Sequence, residues 1–309
     1  MDRQTNFAIL AIVVILPISG LFVWNTDQSL VSASSNTAEL SVIASFYPLY
    51  EFTKQIGQDK VKVSLLVPPG IEPHDWDPTI SELQKLHESD LIVINGFGFE
   101  NWIDDIDSES TDINIVDTSI GIKTNDNEIL ENNSEYDEYS IADPHIWLNP
   151  IMAKIQVANI ANALSKIDSS NENFYQQNAK LYIAKLDSLD VKIKNELKGC
   201  KKDFIAFHNA FFYFAIQYNL NQHTIINSNE PYSEATSKTL EDIINLAQYY
   251  NIDVIFSEEA IDSRSAEVIA NEIGAKVLVL SPIEVLHDNS SYLIKMENNL
   301  SNLKEALCN

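Results

Sequence analysis

Three of the chain's six histidines stand in motifs that could do chemistry together. His74 lies in Glu72-Pro73-His74-Asp75-Trp76-Asp77-Pro78, His145 in Asp143-Pro144-His145-Ile146-Trp147-Leu148-Asn149-Pro150, and His208 in Phe207-His208-Asn209-Ala210-Phe211. A neutral imidazole is a good donor to zinc and other late divalent ions, so the shared chemistry would be the holding of one metal ion. Their spacing is not that of a helical His-x-x-x-His pair, and taken singly each is equally explained as a structural hydrogen-bonding residue. What joins them is placement at the ends of predicted elements. His87, in a charged helical end, and His223, near the start of a strand, are read as structural, while His287 draws interest through its nearness to Glu284. Trp76 and Trp147 each follow a candidate histidine by two residues and are expected to pack the core beside it.

The elements that must position these residues alternate between short apolar runs and helical ones. Strands are predicted at Leu40–Ala44, Val61–Val67 and Leu91–Asn95, with helices at Tyr47–Ile56 and Ile80–His87 between them; Asn101–Ile106 and Ile113–Val116 continue the pattern less clearly. From Ile151 the chain reads as helical, is interrupted at Asp168-Ser169-Ser170-Asn171, and resumes to Lys198. Phe174, Leu181, Leu186, Leu189, Ile193 and Leu197 supply the apolar stripe of that second run, which would make a rod of roughly 40 Å. Such a rod suits a strut between two lobes, with a coiled-coil seam as the other reading. Beyond Gly199 strands are predicted at Asp203–Phe207, His223–Ile226, Asp253–Phe256 and Lys276–Leu280, with helices around Phe211–Tyr218, Thr239–Tyr250, Ser263–Ile273 and Ser291–Leu307.

Strands separated by helices mean βαβ units, so the expected fold is α/β, two lobes with mainly parallel sheets joined by one long rigid helix. In such sheets ligands sit beyond the carboxyl ends of the strands, and two lobes offering residues there imply a cleft between them. The predicted division is 1–38 for an N-terminal anchor or signal with a polar linker, 39–168 for the first lobe, 169–198 for the linking helix and 199–309 for the second. Gly96 and Gly98 follow a strand but lack a third glycine, and no dinucleotide or phosphate loop is read there.

Composition excludes other classes. The 309 residues carry a formal net charge of −25, with Arg3 and Arg264 the only arginines, so nucleic acid is an unsuitable partner. The acidity reads as a well-solvated surface, and Lys123–Tyr139, rich in carboxylates, as a mobile surface loop. Phe7 to Trp24 runs 18 positions without a charge, about the length that crosses a bilayer core. Arg3 before it and Asp27 after it place the remainder outside the cytoplasm, whether the segment is kept as an anchor or removed as a signal. Cys200 and Cys308 are too far apart for a zinc knuckle and can form a disulfide in an oxidising compartment.

From about Leu40 to Leu307 the sequence resembles the zinc/manganese-type solute-binding proteins of ABC transporters. The resemblance rests on Ala44-Ser45-Phe46-Tyr47-Pro48-Leu49, Val67–Pro78, Asn95-Gly96-Phe97-Gly98-Phe99-Glu100-Asn101-Trp102, Asp143–Pro150, Phe207–Phe211 and Leu280-Ser281-Pro282-Ile283-Glu284. It implies a metal held between the lobes by His74, His145 and His208, and delivery to a permease driven by a cytoplasmic ATPase. The chain is expected to act as a monomer. Two departures stand out: Ser281 occupies the place where many members carry aspartate, and the acidic Lys123–Tyr139 replaces the histidine-rich loop of some zinc members.

The first departure leaves Glu284 as the expected fourth ligand, as in the zinc-type branch. A serine hydroxyl is a poor zinc donor beside a carboxylate, and Asp77, directly before Pro78, is expected to cap the helix that starts near Thr79. Three imidazoles and one carboxylate suit zinc, whereas manganese favours more oxygen ligands; members that carry manganese tend to have glutamate at the position matching His208. The expected function is thus an extracytoplasmic zinc receptor, with a manganese receptor as the alternative within the family. From another class, a zinc hydrolase with Glu72 or Glu258 as general base would share the histidines, but neither glutamate sits in a His-Glu-x-x-His motif. A metal-dependent adhesin is a third reading.

Overall fold

Continuous apolar runs such as Leu91–Ile94 and Val254–Phe256 suit a sheet covered on both faces, and that is where the chain puts them. A computed structural model describes residues 39–107, 113–124, 143–226, 236–259, 263–288 and 290–308. Its first part comprises β1 (Leu40–Ala44), α1 (Tyr47–Gly57), β2 (Val61–Leu65), α2 (Ile80–His87), β3 (Leu91–Ile94), α3 (Ile103–Asp107) and β4 (Ile115–Asp117). Two long helices follow, α4 (Pro150–Ile167) and α5 (Glu172–Glu196). The remainder is β5 (Asp203–Ala206), α6 (Phe212–Tyr218), β6 (Asn221–Thr224), α7 (Ser237–Tyr250), β7 (Val254–Ser257), α8 (Arg264–Ile273), β8 (Lys276–Val279) and α9 (Tyr292–Leu307).

The strands form two sheets of identical winding, β2-β1-β3-β4 and β6-β5-β7-β8, and every adjacent pair is parallel. In both, the strand order reverses between the first and third strands, β1 and β3 in one sheet and β5 and β7 in the other. A loop leaving either strand there is free to turn over the carboxyl edge toward a ligand. Central β3 and β7 are buried throughout, while edge strand β2 alternates buried and exposed residues. Gly96, two residues past β3, is needed for its backbone: φ is +87°, and a side chain would strike Asp117 and Ser119. The two sheets share one apolar cluster that passes from Val42 of β1 through Leu186 of α5 to Phe204 of β5.

Three details differ from the sequence expectation. The buried face of α5 is Tyr175, Ala179, Tyr182, Leu186, Leu189 and Ile193, whereas Leu181 is exposed and Phe174 only half-buried. These spacings of four and three form a seam-like repeat that meets α4, α1 and α9. Its upper half was concealed because tyrosine reads as a polar-tipped residue; Tyr175 is accommodated by donating its hydroxyl to Asp168 Oδ2 at 2.7 Å. The cap of α2 is Thr79 in a reciprocal capping box with Glu82, and not Asp77, which is exposed. Strand β6 begins at Asn221, ahead of the predicted His223, because its pairing with β5 starts at the polar Asn221 opposite Asp203. Ile225 and Ile226 still donate to the carbonyls of Ala206 and Phe207 beyond the strand's end.

Cys200, just past α5, is bridged to Cys308 at the end of α9, closing the whole second sheet in one covalent loop. The apolar segment 7–24 lies outside the described residues, as does nearly all of the acidic stretch Lys123–Tyr139. Among the described residues no helix is long and apolar enough to cross a membrane.

Candidate metal centre

His74 sits in the loop after β2, where Glu72 Oε1 accepts its backbone N–H at 3.3 Å and the Phe99 ring lies edge-on at 4.9 Å. His145 is held by Asp143, whose Oδ1 accepts both the backbone N–H and ring Nδ1–H of the histidine, each at 2.9 Å. From behind, Asn95 at the end of β3 donates to the Pro144 carbonyl at 2.8 Å. Asn149 caps α4, and Pro150 occupies its first turn, where a missing N–H costs nothing. His208 follows β5 in extended backbone, and Glu258, one residue past the adjacent β7, repeats the Asp143 arrangement. Its Oε1 accepts the His208 N–H at 3.3 Å and Nδ1–H at 2.7 Å. Glu284 lies in the loop after β8 and, like His145 and His208, is almost wholly buried.

The four predicted residues meet, each presenting one donor atom within 4.8 Å of the others. Glu284 Oε1 is 3.3 Å from His74 Nε2, 3.2 Å from His145 Nε2 and 3.7 Å from His208 Nε2. His145 Nε2 lies 3.2 Å from each of the other two Nε2 atoms. Donors about 2.0–2.1 Å from a tetrahedral zinc ion would be separated by roughly 3.3–3.4 Å, so the set has the right size and count. The carboxylates on the far side fix which ring nitrogens of His145 and His208 face the centre. With Nδ1–H of His145 and of His208 donated away, the neutral rings turn their Nε2 lone pairs inward, and a cation held between them relieves their mutual repulsion.

Charge around the centre points the same way. Burial by itself would lower the proton affinity of His145 and His208. The Asp143 and Glu284 carboxylates for the first, and Glu258 and Glu284 for the second, outweigh it and hold both above the ordinary imidazole value. Burial acts to raise Glu284, but the three imidazoles together hold its carboxyl well below the usual range. Burial and then the Glu284 charge push the Glu72 carboxyl well above the usual carboxylate range. The second oxygen of Glu284 is buried without a hydrogen-bond partner among the described residues. The pocket is therefore a place where negative charge is fixed and positive charge is wanted.

The other sequence candidates lie elsewhere. His223 donates its Nε2–H to Asp203 Oδ1 at 3.0 Å, His87 and His287 are exposed, and Ser281 bonds Glu259 and the backbone of its own loop. Trp147 is fully buried and sends its Nε1–H to the Pro282 carbonyl at 2.7 Å, while half-buried Trp76 packs against Trp102. Sequence reasoning missed Asp143 and assigned Glu258 only a rival role as base. The available signals were an acidic residue two before His145 and an acidic residue at the carboxyl end of the strand beside that of His208.

Comparison with known proteins agrees with this geometry. Residues 42–306 match the family described as ZnuA, zinc-uptake complex component A, periplasmic. The high-affinity zinc uptake system protein ZnuA of Bacillus subtilis is 37% identical over 316 aligned positions, covering 94% of this chain and 97% of that protein. The zinc-binding protein AdcA of Streptococcus pyogenes is 32% identical over 93% of this chain, which spans only 59% of that longer relative. The crystal structure of the metal-dependent lipoprotein YcdH from Bacillus subtilis superposes with a TM-score of 0.74 at 37% identity, covering 87% of this chain and 99% of that one. With two parallel-sheet halves, four convergent donors and a family match over almost all of the described residues, the chain belongs to the zinc-uptake component A family of solute-binding proteins.

Proposed function

We propose that this chain is the extracytoplasmic receptor of a zinc-uptake ABC transporter, taking the ion with His74, His145, His208 and Glu284 and delivering it to a permease worked by a cytoplasmic ATPase. The observation that carries the reading is the set of four donors at tetrahedral separation, two of them backed by carboxylates that aim their lone pairs inward. Three nitrogens and one carboxylate favour zinc over manganese, which seeks more oxygen. A hydrolase has little to recommend it: Glu258 is engaged by His208, and the family is a receptor and not an enzyme. The working division is proposed to follow the two sheets, with 39–168 and 199–309 as lobes and 169–198 as the strut.

We propose that residues 7–24 supply the membrane attachment, or the secretion signal if they are cleaved. The receptor is proposed to deliver its cargo as a single chain. The test is elemental analysis of the portion from Asn36 onward after competition between equal zinc and manganese. One equivalent of zinc per chain is expected; bound manganese, or no retained metal, would overturn the assignment.

A further inference from the structure

The loop that carries Glu284 contains an unusual backbone feature. Ile283, directly before it, has φ of +61°, a left-handed conformation that β-branched residues avoid because Cβ crowds the following carbonyl. Ile283 is also fully buried. Several contacts hold it there. Ser281 Oγ accepts the Ile283 N–H at 3.1 Å and donates to Glu259 Oε2 at 3.1 Å. Asn299 of α9 grips both polar groups of the Ser281 backbone, accepting from N at 2.8 Å and donating to O at 2.7 Å.

The remaining contact comes from the segment of His145. Trp147 donates Nε1–H to the Pro282 carbonyl, within the same turn, at 2.7 Å. Its own carbonyl accepts the Tyr292 hydroxyl at 2.6 Å, so the clasp closes in both directions. The Trp147 ring also lies 5.1 Å from the His145 ring. One side chain thus fixes the distance between a ligand that precedes α4 and a ligand that follows β8, across the line where the two sheets face each other.

We propose that Trp147 and Ser281 are positioning residues for the fourth ligand: they hold Ile283 in its left-handed turn, and the turn aims the Glu284 carboxylate at the three imidazoles. This rests on the reading of Glu284 as a ligand. Freed from the clasp, Ile283 relaxes toward negative φ, rotating the peptide that leads into Glu284 and withdrawing Oε1 from its place 3.2 to 3.7 Å from the three nitrogens. The carboxylate is then recruited by the metal at the cost of ordering the loop, where the native chain has it pre-set.

A double-mutant cycle on zinc affinity tests this, using Trp147→Phe and Ser281→Ala, each alone and each combined with Glu284→Gln, in competition with a chromophoric chelator. Each single variant is expected to weaken zinc binding about tenfold, and that loss is expected to vanish when Glu284 is already replaced. Equal losses with and without Glu284, or no loss in the single variants, overturn the proposal, since a merely structural defect is indifferent to the fourth ligand. Tyr292→Phe removes one hydroxyl from the clasp and serves as the gentler probe if Trp147→Phe fails to fold; it must show the same dependence on Glu284. A parent chain that binds no zinc would instead remove the receptor reading, and the proposal with it, before any variant is compared.

Discussion

At the residue scale two of the three imidazoles, His145 and His208, have their outer nitrogens engaged by Asp143 and Glu258. Removing such a partner leaves a buried N–H unsatisfied and lets the ring choose the other tautomer. Glu258→Ala is therefore expected to weaken zinc binding by about 10- to 100-fold, and His208→Ala by more, with the far-ultraviolet circular dichroism of both unchanged. The same geometry sets the pH response. Because carboxylates hold His145 and His208 above the ordinary value of 6.5, protons compete with zinc from pH values above 6.5 downward. For the metal-free chain the sign is opposite. A raised folded pKa contributes stability that is full below the unfolded value and fades as pH rises through the folded one. Calorimetry from about pH 8 to about pH 6 is thus expected to show the metal-free Tm rising and the zinc-induced increment shrinking. A zinc increment that grows on acidification would refute the protonation argument. The four residues proposed as ligands were legible in sequence through proline-bounded turns, strand ends and the family resemblance that singled out Glu284. Asp143 and Glu258 were not, since which carboxylate reaches a ring nitrogen is decided by tertiary placement.

At the element scale, the helices and strands follow their apolar periods closely, and the departures come from residues that mix characters. Tyrosines hid half of the α5 stripe, and a polar opening disguised β6. The cap of α2 is a local matter that the structure assigns to Thr79. Thr79→Ala is expected to cost about 1 kcal/mol in urea unfolding, and Asp77→Ala close to nothing. The reverse order would return the cap to Asp77. The disulfide encloses a separation of 108 residues, a loop for which chain entropy gives roughly 4–5 kcal/mol. Paired replacement of Cys200 and Cys308 by serine is expected to lower unfolding stability substantially while leaving zinc affinity within about twofold, because neither cysteine approaches the centre. Loss of zinc binding in a still-folded double variant would show that the bridge supports the site as well as the fold.

Across the whole molecule, two sheets with the same 2-1-3-4 winding turn their carboxyl edges toward a shared space, and one core spans both through α5. The alternation of strands and helices announced this architecture, because parallel strands require crossovers and crossovers place loops at one edge. Sequence could not give the pairwise distances, which depend on how the halves close. The central claim is that three imidazoles and the Glu284 carboxylate hold one zinc ion in four-coordination. X-ray absorption at the zinc edge on the metal-loaded chain reads that shell directly. The account predicts four nitrogen or oxygen donors at about 2.0–2.1 Å with the scattering of three imidazoles, falling to a weaker or water-completed shell in Glu284→Gln. A sulfur donor, a six-coordinate oxygen shell, or an unchanged spectrum in Glu284→Gln would contradict it.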